Sequence, residues 1–156
     1  MTEEGNLSQN QNDKIMAALA HVSAILPFMG VIAPIVIWVT QKDKSEYVAF
    51  QALQAVVYQL LMILAWFVGM GCYMMSFFTM FLGIPFAGES GQVDPSIAPL
   101  FAVGFMIPFL IFGAIFVGGA LFVIYGLIAA IQVFQGKDFR YIFIGNRLEN
   151  YLQKNN

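Results

Sequence analysis

The sequence predicts an all-α integral membrane protein with three transmembrane helices. Composition is the first reason: hydrophobic residues make up 60% of the 156 positions and charged residues only 10%, where a soluble domain carries about 25%. Charge spacing is the second, because no Asp, Glu, Lys or Arg falls in 15–41, 47–88 or 95–136. The third is length: each window exceeds the about 20 apolar residues that cross roughly 30 Å of hydrocarbon at about 1.5 Å per residue. A chain of this size cannot hide so much apolar surface in one water-facing core.

Residues 1–14, "MTEEGNLSQNQNDK", read as a polar, flexible tail, rich in Asn and Gln. Their acidic start does not resemble the basic start of a secretory signal. The first span is expected at about 15–40. Pro27-Phe28-Met29-Gly30 lies in its middle and Pro34 beyond. Proline removes a helix hydrogen bond and clashes with the preceding turn, so this span is kinked or broken. The main reading is one kinked crossing; the alternatives are a re-entrant helical hairpin of two short pieces, or four helices in all.

The second span is expected at 47–83. Tyr47, Gln51, Gln54 and Tyr58 step by four, three and four, which sets them on one helix face. That polar stripe lies at the interface or packs on a neighbour, and the crossing proper runs from Leu60 to Leu82. The third span is expected at 98–135, with Pro99 at its entry and Pro108 kinking it. Ala65/Gly69, Ala114/Gly118 and Gly126/Ala130 have the spacing of close-packing seams, although chance accounts for them equally well.

Three crossings put the loop "QKDKSE" and the tail 137–156 on one face. Lys42, Lys44, Lys137, Arg140, Arg147 and Lys154, six of seven basic residues, then share it. Basic residues stay inside, so this face is cytoplasmic and the N-terminus lies outside with the Glu89 and Asp94 loop. A re-entrant first segment would instead bring the N-terminus inside, with all seven basic residues. The location expected is the cytoplasmic membrane, with the basic tail anchored at anionic headgroups.

Three stretches, "ALAHVSAILPFMGVIAPIVIW", "KDKSEYVAFQALQAVVYQ" and "QGKDFRYIFIG", resemble a family of small, uncharacterised prokaryotic membrane proteins. That family is distantly similar to the twenty-kilodalton subunit of the chloroplast inner-envelope import translocon. The resemblance covers nearly all of the chain beyond the first dozen residues and the Glu89 loop. Gln51 stands where the family usually has His, and Ile142 where it usually has Pro. The resemblance implies three or four membrane helices and, by fold analogy, a protein-conducting or assembly role.

Each candidate residue has a functional and a bland reading. His21, the sole histidine, could mark a proton or ion path, or could be a neutral imidazole bonded to Ser23 of a neighbour or to a backbone carbonyl. Gln51, Gln54 and Gln59 could line a polar cavity or solvate an amphipathic turn. Lys42 and Asp43 could touch a partner or lipid phosphate; with Ser45 as helix cap they also serve as a topology signal. Arg140 and Tyr141, beside Lys137, Asp138 and Phe139, could dock a soluble partner, or place cations at headgroups and rings in the aromatic belt.

One Cys and one His on different spans are too few for a metal, and neither a cofactor motif nor a catalytic set is present. No basic stripe points to nucleic acid. The expectation is a non-enzymatic subunit or scaffold of a membrane assembly, with the bilayer, a second copy or another membrane protein as partner. The alternative is a component of a transport or translocation channel.

Overall fold

A computed structural model describes residues 3–82, 95–96, 98–142, 144–145 and 147–148. Four helices are formed: α1 (Glu3–Val22), α2 (Ile32–Gln41), α3 (Glu46–Leu82) and α4 (Ala98–Phe134). Short 3-10 turns at Ser23–Ile25 and Met29–Val31 join the first two, and no strand occurs among the described residues. Residues 3–14, read from the sequence as a tail, are helical. The loop at Glu89 and Asp94 lies outside the described residues.

The first apolar segment is broken into two helices. Leu26, ahead of Pro27, is extended at φ −92° and ψ 103°, as a residue before proline prefers. Phe28 then takes φ 62°, and the chain doubles back. A Cβ at Gly30 would collide with the Ser23 carbonyl oxygen, so this return requires glycine. The Ser45 hydroxyl donates to Asp13 Oδ2 at 2.7 Å. Ser23 meeting Gly30 and Asp13 meeting Ser45 makes α1 and α2 antiparallel neighbours. The two helices thus form a helical hairpin. The ten residues of α2 rise only about 15 Å, half the hydrocarbon. Small side chains favour the return, because Ala20 is wholly buried with Ala52 and Ala55 while Ile37 and Trp38 close over them.

The two long helices have 37 residues each. Ser45 starts α3: its hydroxyl oxygen accepts from the Val48 N–H at 3.4 Å, and Glu46 sits at the positive end of the helix dipole. In α4, Pro99 falls in the first turn, where a missing N–H costs little, and the helix continues through Pro108. Its end is a Schellman motif. Gly136 N–H donates to Val133 O at 2.9 Å and Lys137 N–H to Gln132 O at 3.0 Å, with Gly136 at φ 79°.

Two packed units result, one from residues up to 63 and from 121 onward, the other from 64–120. In the second unit a Cβ at Gly69 would lie 3.0 Å from Ile115, and the Tyr73 and Phe112 rings are 5.8 Å apart. Leu64, Phe67, Met75, Leu110 and Phe116 are exposed on it. In the first unit a cluster of Ala17, Ala129, Val133, Ile144 and the tail rings Phe139 and Tyr141 forms the core. This unit carries the candidate site.

Candidate functional site: a buried polar node that holds the tail

The stripe on α3 faces inward. Gln51 and Gln54 are fully buried, Gln59 and Tyr58 nearly so. The glutamines' partners come from α1 and the turn that follows it, and from the chain just after α4. The Gln51 side-chain N–H groups donate to Phe139 O at 3.1 Å and Asp138 Oδ1 at 3.3 Å. That leaves Gln51 Oε1 to accept from His21 Nε2 at 3.1 Å. An Nε2–H imidazole has an acceptor at Nδ1, and the Tyr141 hydroxyl donates to it at 3.0 Å. Burial, followed by the nearby Tyr58 and Tyr125 phenols, pushes the Tyr141 hydroxyl well above its ordinary pKa, which keeps that donor protonated. Proton positions follow from the partners, and only this assignment satisfies all four groups.

Gln54 grips the same segment by its backbone. Its side chain donates to Phe139 O at 3.3 Å and accepts from Tyr141 N–H at 3.2 Å. One amide thus pairs with both sides of Arg140, as a neighbouring strand would. Rings complete the hold. Tyr58 stacks on Phe122 at 3.7 Å and on Tyr141 at 4.0 Å, Tyr125 meets Tyr141 edge-on at 5.4 Å, and the His21 ring leans on Tyr141 at 5.5 Å. The Tyr58 hydroxyl donates to Phe122 O at 2.9 Å.

Gln59 serves the α1–α2 turn. It donates to Ser23 Oγ at 3.0 Å and Ala20 O at 3.4 Å, while the Ser23 hydroxyl donates to Ala20 O. The His21 imidazole takes Tyr141 and Gln51 as partners, where a neighbour's Ser23 or a backbone carbonyl was expected. Phe139 and Tyr141 are buried, not displayed in an aromatic belt: glutamine side chains pair with Phe139 O and Tyr141 N–H, and both rings pack in the cluster around Tyr58. Lys42 and Asp43 are exposed. Arg140 donates to Asp138 Oδ2 through Nε at 3.0 Å and Nη2 at 2.9 Å and lies 5.8 Å over the Phe50 ring.

At the open end of this unit Lys14 reaches Gly136, where a Cβ would lie 2.9 Å from its Nζ. A cation there complements the carbonyl end of α4. Tyr58, Tyr125 and Phe122 belong to the site although only Tyr58 carried a signal, through the stripe. Asp13 was given by no pattern. Among the described residues no buried side-chain nitrogen or oxygen lacks a partner, and no three His, Cys, Asp or Glu gather as metal ligands.

These features define a small all-helical protein with two helices long and apolar enough to cross a membrane, whose buried polar groups pair within the chain. More narrowly, the chain belongs to the magnetosome magnetite crystal formation protein family, MamF/MmsF, which matches residues 12–148. No curated protein and no solved structure matches it. The family accords with the expected small prokaryotic membrane-protein family; the likeness to a translocon subunit finds no support.

Proposed function

We propose that the protein is a non-enzymatic, membrane-embedded structural subunit of an assembly that serves magnetite crystal formation. The observation that carries this is the family match. A closed polar node supports it, since His21, Gln51 and Gln54 spend their bonds on one another and on the chain's own tail. For the same reason transport is the weaker reading.

Membrane embedding rests on α3 and α4 and on the exposed Leu, Phe and Met of residues 64–120; soluble monomers rarely expose apolar patches so large. With Asp13 against Ser45 and Lys14 against Gly136, the end of α1, the 42–45 loop and the start of the tail share one membrane face. Lys14, Lys42, Lys44, Lys137 and Arg140 then lie together, and basic residues favour the cytoplasmic side. The N-terminus accordingly lies inside rather than outside. The bilayer and fellow membrane proteins are its partners.

The test is gene deletion followed by complementation, with crystal size and shape read by electron microscopy. Wild-type protein should stay with carbonate-washed membranes and restore the crystals. His21→Leu should restore them in proportion to its folded amount. Full loss of crystals with normal amounts of folded His21→Leu protein would point to chemistry at His21 and contradict the structural reading.

A further inference from the structure

We propose that residues 137–142 form a pH-sensitive strap that docks when His21 is neutral and releases in acid. This does not depend on the role in crystal formation. The strap has no helix or strand ladder of its own. It is fastened by side chains, Gln51, Gln54 and His21, and by the stack on Tyr58. It leaves α4 through Gly136, whose φ of 79° suits a pivot without a Cβ.

The fastening is written for an uncharged imidazole. Gln51 cannot turn its oxygen away from Nε2 without aiming it at Phe139 O and Asp138. Nδ1 accepts the Tyr141 hydroxyl. A proton added at Nδ1 forces that hydroxyl to reverse, and its hydrogen loses its acceptor. The imidazolium would also be buried, for His21 is 0% exposed. Among the described residues the titratable groups near it are the Tyr141 phenol, the Tyr58 and Tyr125 phenols packed on Tyr141 and, beyond the Gln51 amide, Asp138. That carboxylate already accepts from Arg140. Among the described residues no direct counter-charge compensates, and a buried charge without one is costly. Undocking the strap lets water reach His21.

Docking is therefore favoured above the ordinary imidazole range, about pH 6.5, and weakens below it. With one linked proton the undocked-to-docked ratio rises up to about tenfold per pH unit.

The test uses the full chain in lipid nanodiscs, Cys72→Ser, with spin labels at the exposed positions of Asn10→Cys and Ile142→Cys. Pulsed electron-spin distances are recorded from pH 7.5 to 4.5. The expected result is one narrow distance at pH 7.5 and a growing broad component in acid. His21→Gln should abolish the pH response, and Tyr141→Phe, which keeps the ring stack, should raise the broad component at pH 7.5. A distribution unchanged to pH 4.5, or the same acid response in His21→Gln, would overturn the proposal. Should His21→Gln fail to fold, a Tyr141→Phe chain matching the parent at every pH would overturn it equally.

Discussion

His21 Nδ1 and the Tyr141 hydroxyl are 3.0 Å apart although 120 residues separate them in the chain. The contact closes α1, α3 and the post-α4 segment around one point, and the chain's stability should be most sensitive there.

Tyr141→Phe keeps the ring against Tyr58 and removes only the hydroxyl, so it should cost about 0.5–1.5 kcal/mol, the net worth of a hydrogen bond. Tyr141→Ala also deletes the stack and should cost about 3–5 kcal/mol. Thermal unfolding in detergent checks both. In a double-mutant cycle with His21→Leu, the coupling energy should be distinctly above zero.

Gln54→Leu leaves Phe139 O and Tyr141 N–H without that partner inside the core. The expected loss is about 1–3 kcal/mol, the penalty for an unmet buried polar group. Amide hydrogen exchange at Tyr141 should accelerate in this variant, with exchange within α4 little altered.

Gly30→Ala and Gly118→Ala should differ sharply. A Cβ at position 30 meets the Ser23 carbonyl, while one at 118 has nothing within 4 Å. The first should destabilise by about 1–3 kcal/mol through overpacking. The second should be neutral or stabilise by up to about 1 kcal/mol, the helix preference for Ala. Unfolding temperatures of the two purified variants decide this.

Ser45→Ala removes both the α3 cap and the bond to Asp13. A loss of about 1 kcal/mol is expected from the cap. Asp13→Asn should lose less, since an amide oxygen can still accept from Ser45.

Much of this architecture was legible in the residues. Charge-free windows fixed α3 and α4 closely, because a bilayer-length apolar run leaves few other options. The Tyr47–Gln51–Gln54–Tyr58 spacing set these residues on one helix face, because helical periodicity is local, but it did not show that Gln51 and Gln54 would be buried, nor that Val48, Ala52 and Ala55 would be buried as well. What covers that face was not legible. The tail's rings were assigned to the lipid interface by composition, and only the fold brings Phe139 and Tyr141 under Gln51 and Gln54. Pro27 signalled a break, yet a break does not say whether the chain continues or returns. The return is decided by Ala20 against Ala52 and Ala55 and by Gly30 beside Ser23, contacts between distant residues. Asp13 pairs with Ser45 across 32 positions, and no spacing rule reaches that far. Of the small-residue pairs, Gly126 packs against Ala24 and Tyr58, whereas Ala114 and Gly118 stay exposed.

The account turns on the first apolar segment returning to the face it left, which lets α1 carry His21 to the tail. The direct measurement is cysteine labelling in sealed vesicles with a membrane-impermeant maleimide, in a Cys72→Ser chain carrying Asn10→Cys, Lys44→Cys or Ile142→Cys. All three positions should be labelled from the same side. Asn10→Cys labelled from the side opposite Lys44→Cys would mean that the segment crosses the membrane, and the account would be wrong.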